Sequence, residues 1–192
     1  MRARWLLLVL LAGATSLGGC KDEPASEPHV PTEPAAGGAG APSADALVPY
    51  DAWTAVERDA DPFVTDESVV PTCLGPGFYP EPDLNWLEID TGECSWVTIE
   101  AAAAVPVEQQ DPVRVVVSHY DLTAPEPARA ELELRFGACK VWSKTVEIPG
   151  PAAVYTEEVE SPCSSAEGDT VFFHLHNHGQ NTWQLQELSV LR

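Results

Sequence analysis

The chain has 192 residues, of which 30 are acidic and 10 basic, and its formal net charge at pH 7 is −20. A charge this negative argues against nucleic acid as a partner, because binding to a phosphate backbone requires basic patches. It also argues against docking on an anionic bilayer surface, so the main effect of the charge is solubility.

The N-terminus has the layout of a secretory signal peptide. Arg2 and Arg4 precede the apolar run Trp5–Leu11, and small residues follow it. The run is too short to span a bilayer, and no later stretch approaches the roughly 20 apolar residues that a spanning helix needs. We therefore predict a cleaved signal peptide over residues 1–19.

The sequence Leu17-Gly18-Gly19-Cys20 resembles the lipobox of bacterial lipoproteins. In that family the cysteine thiol receives a diacylglycerol after cleavage and the amine is acylated, so the resemblance implies lipidation of Cys20 with fatty acids such as palmitate. Buried acyl chains contribute about 0.8 kcal/mol per CH₂, so two or three chains anchor a protein stably in a membrane. Lys21 stands where lipoproteins retained at the inner membrane often have aspartate, which favours the outer membrane. The alternative is an ordinary signal peptide with a chance cysteine.

Residues 20–48 have the composition of a linker. Proline, alanine, glycine and acidic residues dominate, and no apolar period is present. Such a segment cannot bury enough surface to offset its conformational entropy. We predict a disordered tether here, followed by one folded domain over residues 49–192, which is long enough to bury a core.

The folded domain is predicted to consist of β-strands. The lead-in Tyr50–Pro71 has no clear period apart from a short helix predicted at Ala52–Arg58, and the Pro- and Gly-rich segment Thr72–Asn85 is predicted as a loop. The later segments alternate apolar and polar residues with the period of two of a strand. Six strands are predicted there: Trp86–Asp90, Cys94–Glu100, Pro112–Tyr120, Ala128–Phe136, Lys140–Ile148 and Ala152–Glu160.

The last segment, Gly168–Leu191, is predicted as two further strands that form a hairpin around a tight turn at His178–Asn181. The alternation changes parity at Glu187, which indicates a β-bulge. Eight strands separated by turn signals predict an antiparallel β-sandwich, and the number fits a jelly roll.

A resemblance in pattern supports this fold class. Gly168-Asp169-Thr170 before a long apolar strand, then a turn and Trp183–Val190, resembles the C-terminal end of galactose-binding-like jelly rolls. The similarity covers roughly Trp86–Leu191 and includes no residue-level motif of that family. It therefore implies the fold, while a sugar site or a calcium site is not carried over. Glu187 is the acidic residue on the last strand to examine for calcium.

Four cysteines follow the lipobox, and an even number in an exported chain predicts two disulfides. Cys139 precedes one predicted strand, and Cys163 follows the next strand. The short connection between those strands makes them antiparallel, so both cysteines lie at one end of the sandwich. We therefore predict a Cys139–Cys163 bond and, by elimination, a Cys73–Cys94 bond.

Three histidines cluster on the last predicted hairpin. His174 and His176 share a strand face and could present two nitrogens to one metal ion, with His178 or His119 as a third ligand. A full ligand set is not visible, so we predict structural histidines and no metal or other cofactor.

An aromatic platform for sugar is a further possibility, because four tryptophans lie on or near predicted strands: Trp86, Trp96, Trp142 and Trp183. Most tryptophans of a sandwich belong to its core. The candidate ligand-binding residues selected from the sequence are His174, His176, His178, His119 and Trp183.

Two segments resemble parts of catalytic motifs. Ile89-Asp90-Thr91-Gly92 resembles the triplet of aspartic proteases, but a second triplet is absent and a plain turn is preferred. His119-Tyr120-Asp121 could belong to a serine triad, but GxSxG is absent. We predict no catalytic residues.

Together these features predict a non-enzymatic outer-membrane lipoprotein that acts as a binding or envelope-interaction module. Its predicted partners are the membrane, through the lipid, and a carbohydrate or a protein. The alternatives are a carbohydrate-binding jelly roll and a metal-dependent enzyme that uses the His174 and His176 row.

Overall fold

The computed structural model describes residues 43–64 and 73–192. The predicted signal peptide, the predicted lipidation site at Cys20 and most of the predicted tether lie outside these residues. No helix in the described ranges is long and apolar enough to cross a membrane. The described elements are eleven β-strands: β1 Ala44–Ala46, β2 Thr54–Ala55, β3 Phe78–Glu81, β4 Trp86–Asp90, β5 Trp96–Ala102, β6 Pro112–His119, β7 Ala128–Phe136, β8 Cys139–Ile148, β9 Ala153–Glu160, β10 Thr170–Asn177 and β11 Thr182–Leu191.

The strands form two antiparallel sheets packed face to face as a β-sandwich, which confirms the predicted fold class. Sheet A has the order β3-β4-β11-β6-β9, and β1 pairs with the last residues of β11. Sheet B has the order β2-β5-β10-β7-β8. Alternate apolar residues of both sheets face each other and are almost fully buried, among them Ile89, Val113, Leu132, Phe173 and Leu175.

The eight predicted strands are present, and their ends agree with the prediction to within two residues. Three short strands were not predicted. The helix predicted at Ala52–Arg58 is wrong, because Thr54 and Ala55 extend instead and pair with β5. A free sheet edge offers backbone partners to a short segment, and this outweighs a weak helical propensity.

The other two unpredicted strands lie in segments predicted to be irregular. Phe78–Glu81, within the predicted loop, pairs with β4. The sandwich also begins before residue 49, because Ala44–Ala46 pair with β11 and Leu47 is fully buried. Composition alone misses such segments, because their pairing depends on an edge supplied from elsewhere in the chain.

The final pair of strands does not form the hairpin that we predicted. β10 lies in the middle of sheet B and β11 lies in the middle of sheet A, so the turn between them crosses from one sheet to the other. A period of two indicates which side chains are buried but not which strand is the neighbour. The predicted bulge is confirmed, because the register of β11 against β6 shifts between Leu185 and Glu187.

The structure contains the two predicted disulfides, Cys73–Cys94 and Cys139–Cys163. The second bond joins Cys139, the first residue of β8 in sheet B, to Cys163, which follows β9 of sheet A. The prediction placed both cysteines at one end of the sandwich, and this holds although the strands are not neighbours in one sheet.

Polar contacts close the same edge of the sandwich. The indole Nε1 of Trp142 and the Nζ of Lys144, both on β8, donate to the carboxylate of Glu157 on β9 at 2.6 Å each. Lys144 Nζ also lies 4.2 Å from the centre of the Tyr155 ring. Burial alone would raise the pKa of Glu157, but the hydrogen bonds from Lys144 and Trp142 hold it below its usual value.

Replacing both cysteines of the cross-sheet bond, as Cys139→Ser with Cys163→Ser, is expected to lower the free energy of unfolding by about 3 kcal/mol, because the bond closes a long loop in the unfolded chain. The two residues are 24 apart in sequence. Guanidinium unfolding followed by tryptophan fluorescence measures the change. The Cys73→Ser with Cys94→Ser variant serves as a comparison, because its loop has a similar length of 21 residues. It is expected to lose a similar amount of unfolding free energy. An unchanged midpoint for the Cys139 and Cys163 pair would contradict the expectation.

Candidate functional site

The outer face of sheet B has three rows of polar and aromatic side chains across four neighbouring strands. Residues paired directly across strands point to the same face of a sheet. The rows are, in the order β5, β10, β7 and β8, Trp96, His176, Glu131 and Thr145; Thr98, His174, Glu133 and Ser143; and Glu100, Phe172, Arg135 and Lys140. Members of all three rows line a depression of 480 Å³, which we call the sheet-B groove.

The first row combines the half-buried indole of Trp96 with polar neighbours. The ring of Trp96 lies 4.7 Å from that of His176, and the ring of His178 lies 4.3 Å beyond His176. Burial, followed by the nearby His178, lowers the pKa of His176 below its usual value. His176 is therefore neutral at pH 7 and offers one donor and one acceptor to a ligand.

The second row is fixed by a strap of residues 56–64 that lies over one part of the groove. Asp61 accepts hydrogen bonds from Trp96 Nε1 at 2.8 Å and from Thr98 Oγ1 at 2.7 Å. Because the single hydroxyl proton of Thr98 is donated to Asp61, the hydroxyl oxygen accepts from His174 Nδ1 at 2.8 Å. This series of hydrogen bonds places the proton of neutral His174 on Nδ1.

The strap also covers the His174 ring and builds one wall of the groove. Phe63 stacks on His174 with centroids 4.4 Å apart, and the Arg135 guanidinium lies 4.2 Å from the centre of the Phe63 ring. Arg135 and Lys140 both bind the carboxylate of Glu133. Burial would raise the pKa of Glu133, but the hydrogen bonds from Lys140 and Arg135 lower it overall, so this carboxylate stays ionised.

His178 lies beyond the end of β10, at the sheet-crossing turn. It lines two further depressions. One of them is also lined by Ala124–Arg129 and Glu147 and has a volume of 620 Å³. The short separation of His176 and His178 connects this region with the sheet-B groove. Three predicted candidates, His174, His176 and His178, are therefore neighbours on one surface.

The structure does not bring the other two candidates, His119 and Trp183, to this surface. Both lie on sheet A and face the core, with their rings 4.6 Å apart, and Trp183 is fully buried. His119 Nδ1 bonds to the carbonyl of Tyr120 at 2.7 Å, and Nε2 lies 3.2 Å from the Tyr155 hydroxyl. Their contacts are those of core residues.

Within residues 43–64 and 73–192, no group of three or more His, Cys, Asp or Glu side chains could hold a metal ion. His174 is engaged by Thr98 and Phe63, and His119 belongs to the other sheet. The predicted third ligand His119 is therefore not brought to the row of His174 and His176.

The remaining sequence motifs have structural roles. Asp90 accepts from the backbone N–H of Gly92 at 2.7 Å in a turn, and Asp121 accepts from the N–H of Ala152 at 2.8 Å rather than orienting His119. Glu187 pairs with Ser189 at 2.6 Å. The four tryptophans do not form one platform: Trp142 and Trp183 are buried, while Trp86 and Trp96 lie in different sheets.

Several residues in or beside the groove were not predicted as candidates from the sequence: Glu131, Thr145 and the strap residues Asp61 and Phe63. The alternation of β7 placed the two glutamates of that strand on the solvated face, which was the available signal. That alternation does not indicate which strands lie beside β7.

No family model and no curated protein matches the sequence. Among solved structures, it is similar to an arabinose-bound MgGH51 α-L-arabinofuranosidase (13% identity, TM-score 0.42, 79% of this chain and 26% of that one). It is also similar to TmCBM61 in complex with β-1,4-galactotriose (11% identity, TM-score 0.36, 75% of this chain and 90% of that one). A third similar structure is the N-terminal endo-1,4-β-D-xylanase 10B of Clostridium thermocellum, whose CBM22-1-GH10 modules are complexed with xylohexaose (7% identity, TM-score 0.39, 79% of this chain and 28% of that one).

The chain thus spans little more than a quarter of the arabinofuranosidase and xylanase structures. At these identities and TM-scores the similarity carries no argument about the ligand of this chain.

Because His174 is buried, the free energy of unfolding is expected to decrease as the pH falls below about 6.5. Burial lowers the pKa of His174 to about 4; Asp61 and Glu133 act against this shift, and His176 and Arg135 act with it. Between these pH values the unfolded chain binds a proton that the folded chain does not, so the stability present above pH 6.5 is lost as the pH falls through 4. The loss by pH 4 is on the order of 3 kcal/mol.

Urea unfolding across this pH range measures the effect. His174→Gln keeps hydrogen-bonding capacity without titrating, so its stability is expected to fall less steeply over the same range. Equal slopes for the wild type and His174→Gln would contradict the assignment.

Proposed function

We propose that the protein is a lipid-anchored, non-enzymatic carbohydrate-binding module of the cell envelope, and that it binds a neutral glycan in the sheet-B groove. The observation that carries the proposal is the first row of the groove, in which Trp96, His176, Glu131 and Thr145 lie side by side on four neighbouring strands. The row combines an aromatic ring with hydrogen-bonding groups, the combination that places a ligand in a pocket.

Sugar rings match this row chemically. Their C–H faces pack against an aromatic ring such as that of Trp96, and each hydroxyl both donates and accepts hydrogen bonds. Neutral His176 and the Thr145 hydroxyl both donate and accept, while the Glu131 carboxylate accepts. Four strands at a spacing of about 4.8 Å make a row about 14 Å long, which accommodates a short run of linked sugars rather than a single ring.

The charges of this surface favour a neutral ligand. Four of the seven basic residues in the described ranges lie on β7 and β8, and each is paired with a glutamate: Arg129 with Glu131, Arg135 and Lys140 with Glu133, and Lys144 with Glu157. Paired charges supply fixed donors and acceptors without a strong net field. They also hold their side chains in place before the ligand arrives, which reduces the entropic cost of binding.

The strap supports a binding role because it fixes the aromatic residue of the groove. The bond from Trp96 Nε1 to Asp61 holds the indole in one orientation. An aromatic ring that is already immobile loses little freedom when a sugar stacks on it. We assign no catalytic residues, and the proposal does not depend on a reaction.

The resemblance of Leu17–Cys20 to a lipobox supports attachment of the mature chain to a membrane through lipidated Cys20, and Lys21 favours the outer membrane. We propose residues 1–19 as the signal peptide and the segment from Cys20 to the start of β1 as the tether. A tether of this composition would let the binding domain search for a glycan near the membrane surface.

Trp96→Ala is expected to weaken binding of the best ligand at least tenfold, or about 1.4 kcal/mol, because it removes the stacking surface. The measurement is calorimetry with a panel of neutral hexose and pentose oligosaccharides that includes galactotriose and xylohexaose. Thr145→Val, which is nearly isosteric, is expected to weaken binding about threefold to tenfold through the lost hydroxyl.

The matched control is Tyr120→Ala, since Tyr120 is an exposed aromatic residue that directly follows β6 of the other sheet and lies outside the groove. Its affinity is expected to equal that of the wild type. The proposal is wrong if no panel member binds, or if Trp96→Ala binds as tightly as the wild type and the Tyr120→Ala control do.

Cys20→Ser is expected to release the protein from the membrane fraction into the soluble envelope fraction, because it removes the thiol that would receive the diacylglycerol. Fractionation of cells with immunoblotting measures the distribution. Equal membrane partitioning of Cys20→Ser and wild type would show that another anchor holds the protein.

A further inference from the structure

A further row of side chains adjoins the first row of the sheet-B groove, on the side away from the strap. Two residues along the chain from the first-row members of β10, β7 and β8 stand His178, Arg129 and Glu147. The backbone N–H of His178 donates to the carbonyl of Arg129, and Arg129 pairs with Glu147 across β7 and β8. These three side chains continue the outer face of sheet B, and we call them the fourth row.

The fourth row is open to solvent and borders a depression of 620 Å³. All three of its side chains are exposed and line the depression. The opposite side of the depression is the loop Ala124–Ala128, in which Pro125 and Pro127 are exposed. A ligand can therefore contact the fourth row and the loop at the same time.

The depression and the sheet-B groove are parts of one surface. The ring centroids of His176 and His178 are 4.3 Å apart, and Arg129 Nε bonds to Glu131 Oε1 at 2.8 Å. Both contacts join the first row to the fourth row. Two residues along a strand correspond to about 6.8 Å, so a group attached to a ligand in the first row needs to extend only that far to reach the fourth row.

The strap closes the other side of the first row. Asp61 is hydrogen-bonded to Trp96 and Thr98 on β5, and Phe63 stacks on His174 on β10. A group that projected from a ligand toward this side would meet the strap over both strands. Over β10, the fourth row is therefore the side on which a ligand of the first row can carry a substituent.

The loop that borders the depression is held in place before a ligand binds. The backbone N–H of Thr123 donates to Asn181 Oδ1 at 2.7 Å, and Asn181 Nδ2 donates to the carbonyl of Thr123 at 3.2 Å. Gly179 approaches the same carbonyl so closely that a Cβ there would lie 2.5 Å from it. The rings of Pro125 and Pro127 fix two φ angles within the loop. A depression that is already formed costs little conformational entropy on binding.

The side chains of the depression suit a neutral sugar. Arg129 uses Nε for Glu131 and has further N–H groups to donate to sugar hydroxyls, while the Glu147 carboxylate accepts hydrogen bonds. The His178 ring and the two proline rings offer flat apolar surface to the C–H groups of a sugar.

The charges of the depression disfavour an acidic sugar. Glu126 and Glu147 both line it, and the one basic side chain in its lining, Arg129, is already paired with Glu131. A carboxylate placed here would face two like charges, and juxtaposed like charges oppose binding. The depression is therefore expected to discriminate between a neutral substituent and a uronic acid.

We propose that this depression is a subsite for a side group of the glycan, so that the protein binds a substituted polysaccharide in preference to a linear one. The main chain of the glycan lies along the first row, and one neutral sugar attached to an internal unit enters the depression beside His178. The inference rests on the proposed function, because the first row must hold the main chain. It adds a ligand class that the first row by itself does not specify.

Calorimetry with three matched compounds tests the subsite for each backbone of the oligosaccharide panel. For xylan they are xylohexaose, xylohexaose with one arabinosyl group on an internal unit, and xylohexaose with one glucuronosyl group on an internal unit. For the backbone that binds best, the compound with the neutral substituent is expected to bind about tenfold more tightly than the linear one, through the added contacts. The acidic substituent is expected to give no gain.

His178→Ala separates the subsite from the first row. It is expected to weaken binding of the neutral substituted compound about threefold to tenfold and to leave the affinity for the linear compound unchanged. Trp96→Ala is expected to weaken binding of both compounds, because both place their main chain on the indole. NMR of the His178 ring is expected to show shifts with the substituted compound and not with the linear one.

Glu147→Lys tests the charge argument. The variant is expected to raise the affinity for the glucuronosyl compound relative to the arabinosyl compound at least threefold, because it replaces a like charge with an opposite one. Glu160→Lys is the matched control, since Glu160 is an exposed glutamate of β9 in sheet A and lies outside the depression. Its ratio of affinities is expected to equal that of the wild type.

The outcomes distinguish the subsite from the proposed function. If linear compounds bind and no neutral substituent increases affinity, or if His178→Ala weakens linear and substituted compounds equally, the subsite is wrong and the sheet-B groove stands as proposed. If no compound binds, linear or substituted, the proposed function and the subsite both fail.

Discussion

Burial of alternate side chains between two sheets is the constraint on which the rest of this structure depends. The inward positions of the central strands, such as Val115, Leu134 and Phe173, are almost fully buried. Each such side chain contributes about 1.5–3 kcal/mol when removed from water. A slip of one residue would turn all of them outward, so the core fixes the register of every long strand. The outward positions are then fixed as well, and both polar faces are consequences of the same register.

The ends and edges of the sandwich are held by means other than apolar packing. At the crossover between β10 and β11, Thr91 Oγ1 accepts from the side-chain amide of Asn177 at 2.7 Å, and Asn181 bonds to the backbone of Thr123. At the opening between β8 and β9, the Cys139–Cys163 bond and the contacts of Glu157 join the two sheets. These links join segments of the two sheets by polar and covalent contacts.

The polar groups of the two outer faces are satisfied to different extents. In the sheet-B groove the polar groups are satisfied by one another, through Asp61, Glu133 and their partners, so the surface is rigid before a ligand arrives. On sheet A, Gln184 and Trp86 keep donors without partners among the described residues. The first arrangement favours pre-organisation, and the second stores unsatisfied hydrogen-bonding capacity.

Local pattern by itself determined the fold class, the long strands, the bulge near Glu187 and the two disulfide pairs, because alternation and chain order are properties of neighbouring residues. It also drew attention to His174 and His176, which do lie on one face. Only the tertiary structure decided that β10 and β11 lie in different sheets, that Trp183 and His119 belong to the core, and that Trp96, Glu131 and Thr145 form one row. Strand order across a sheet depends on contacts between distant segments, and no local period encodes those contacts.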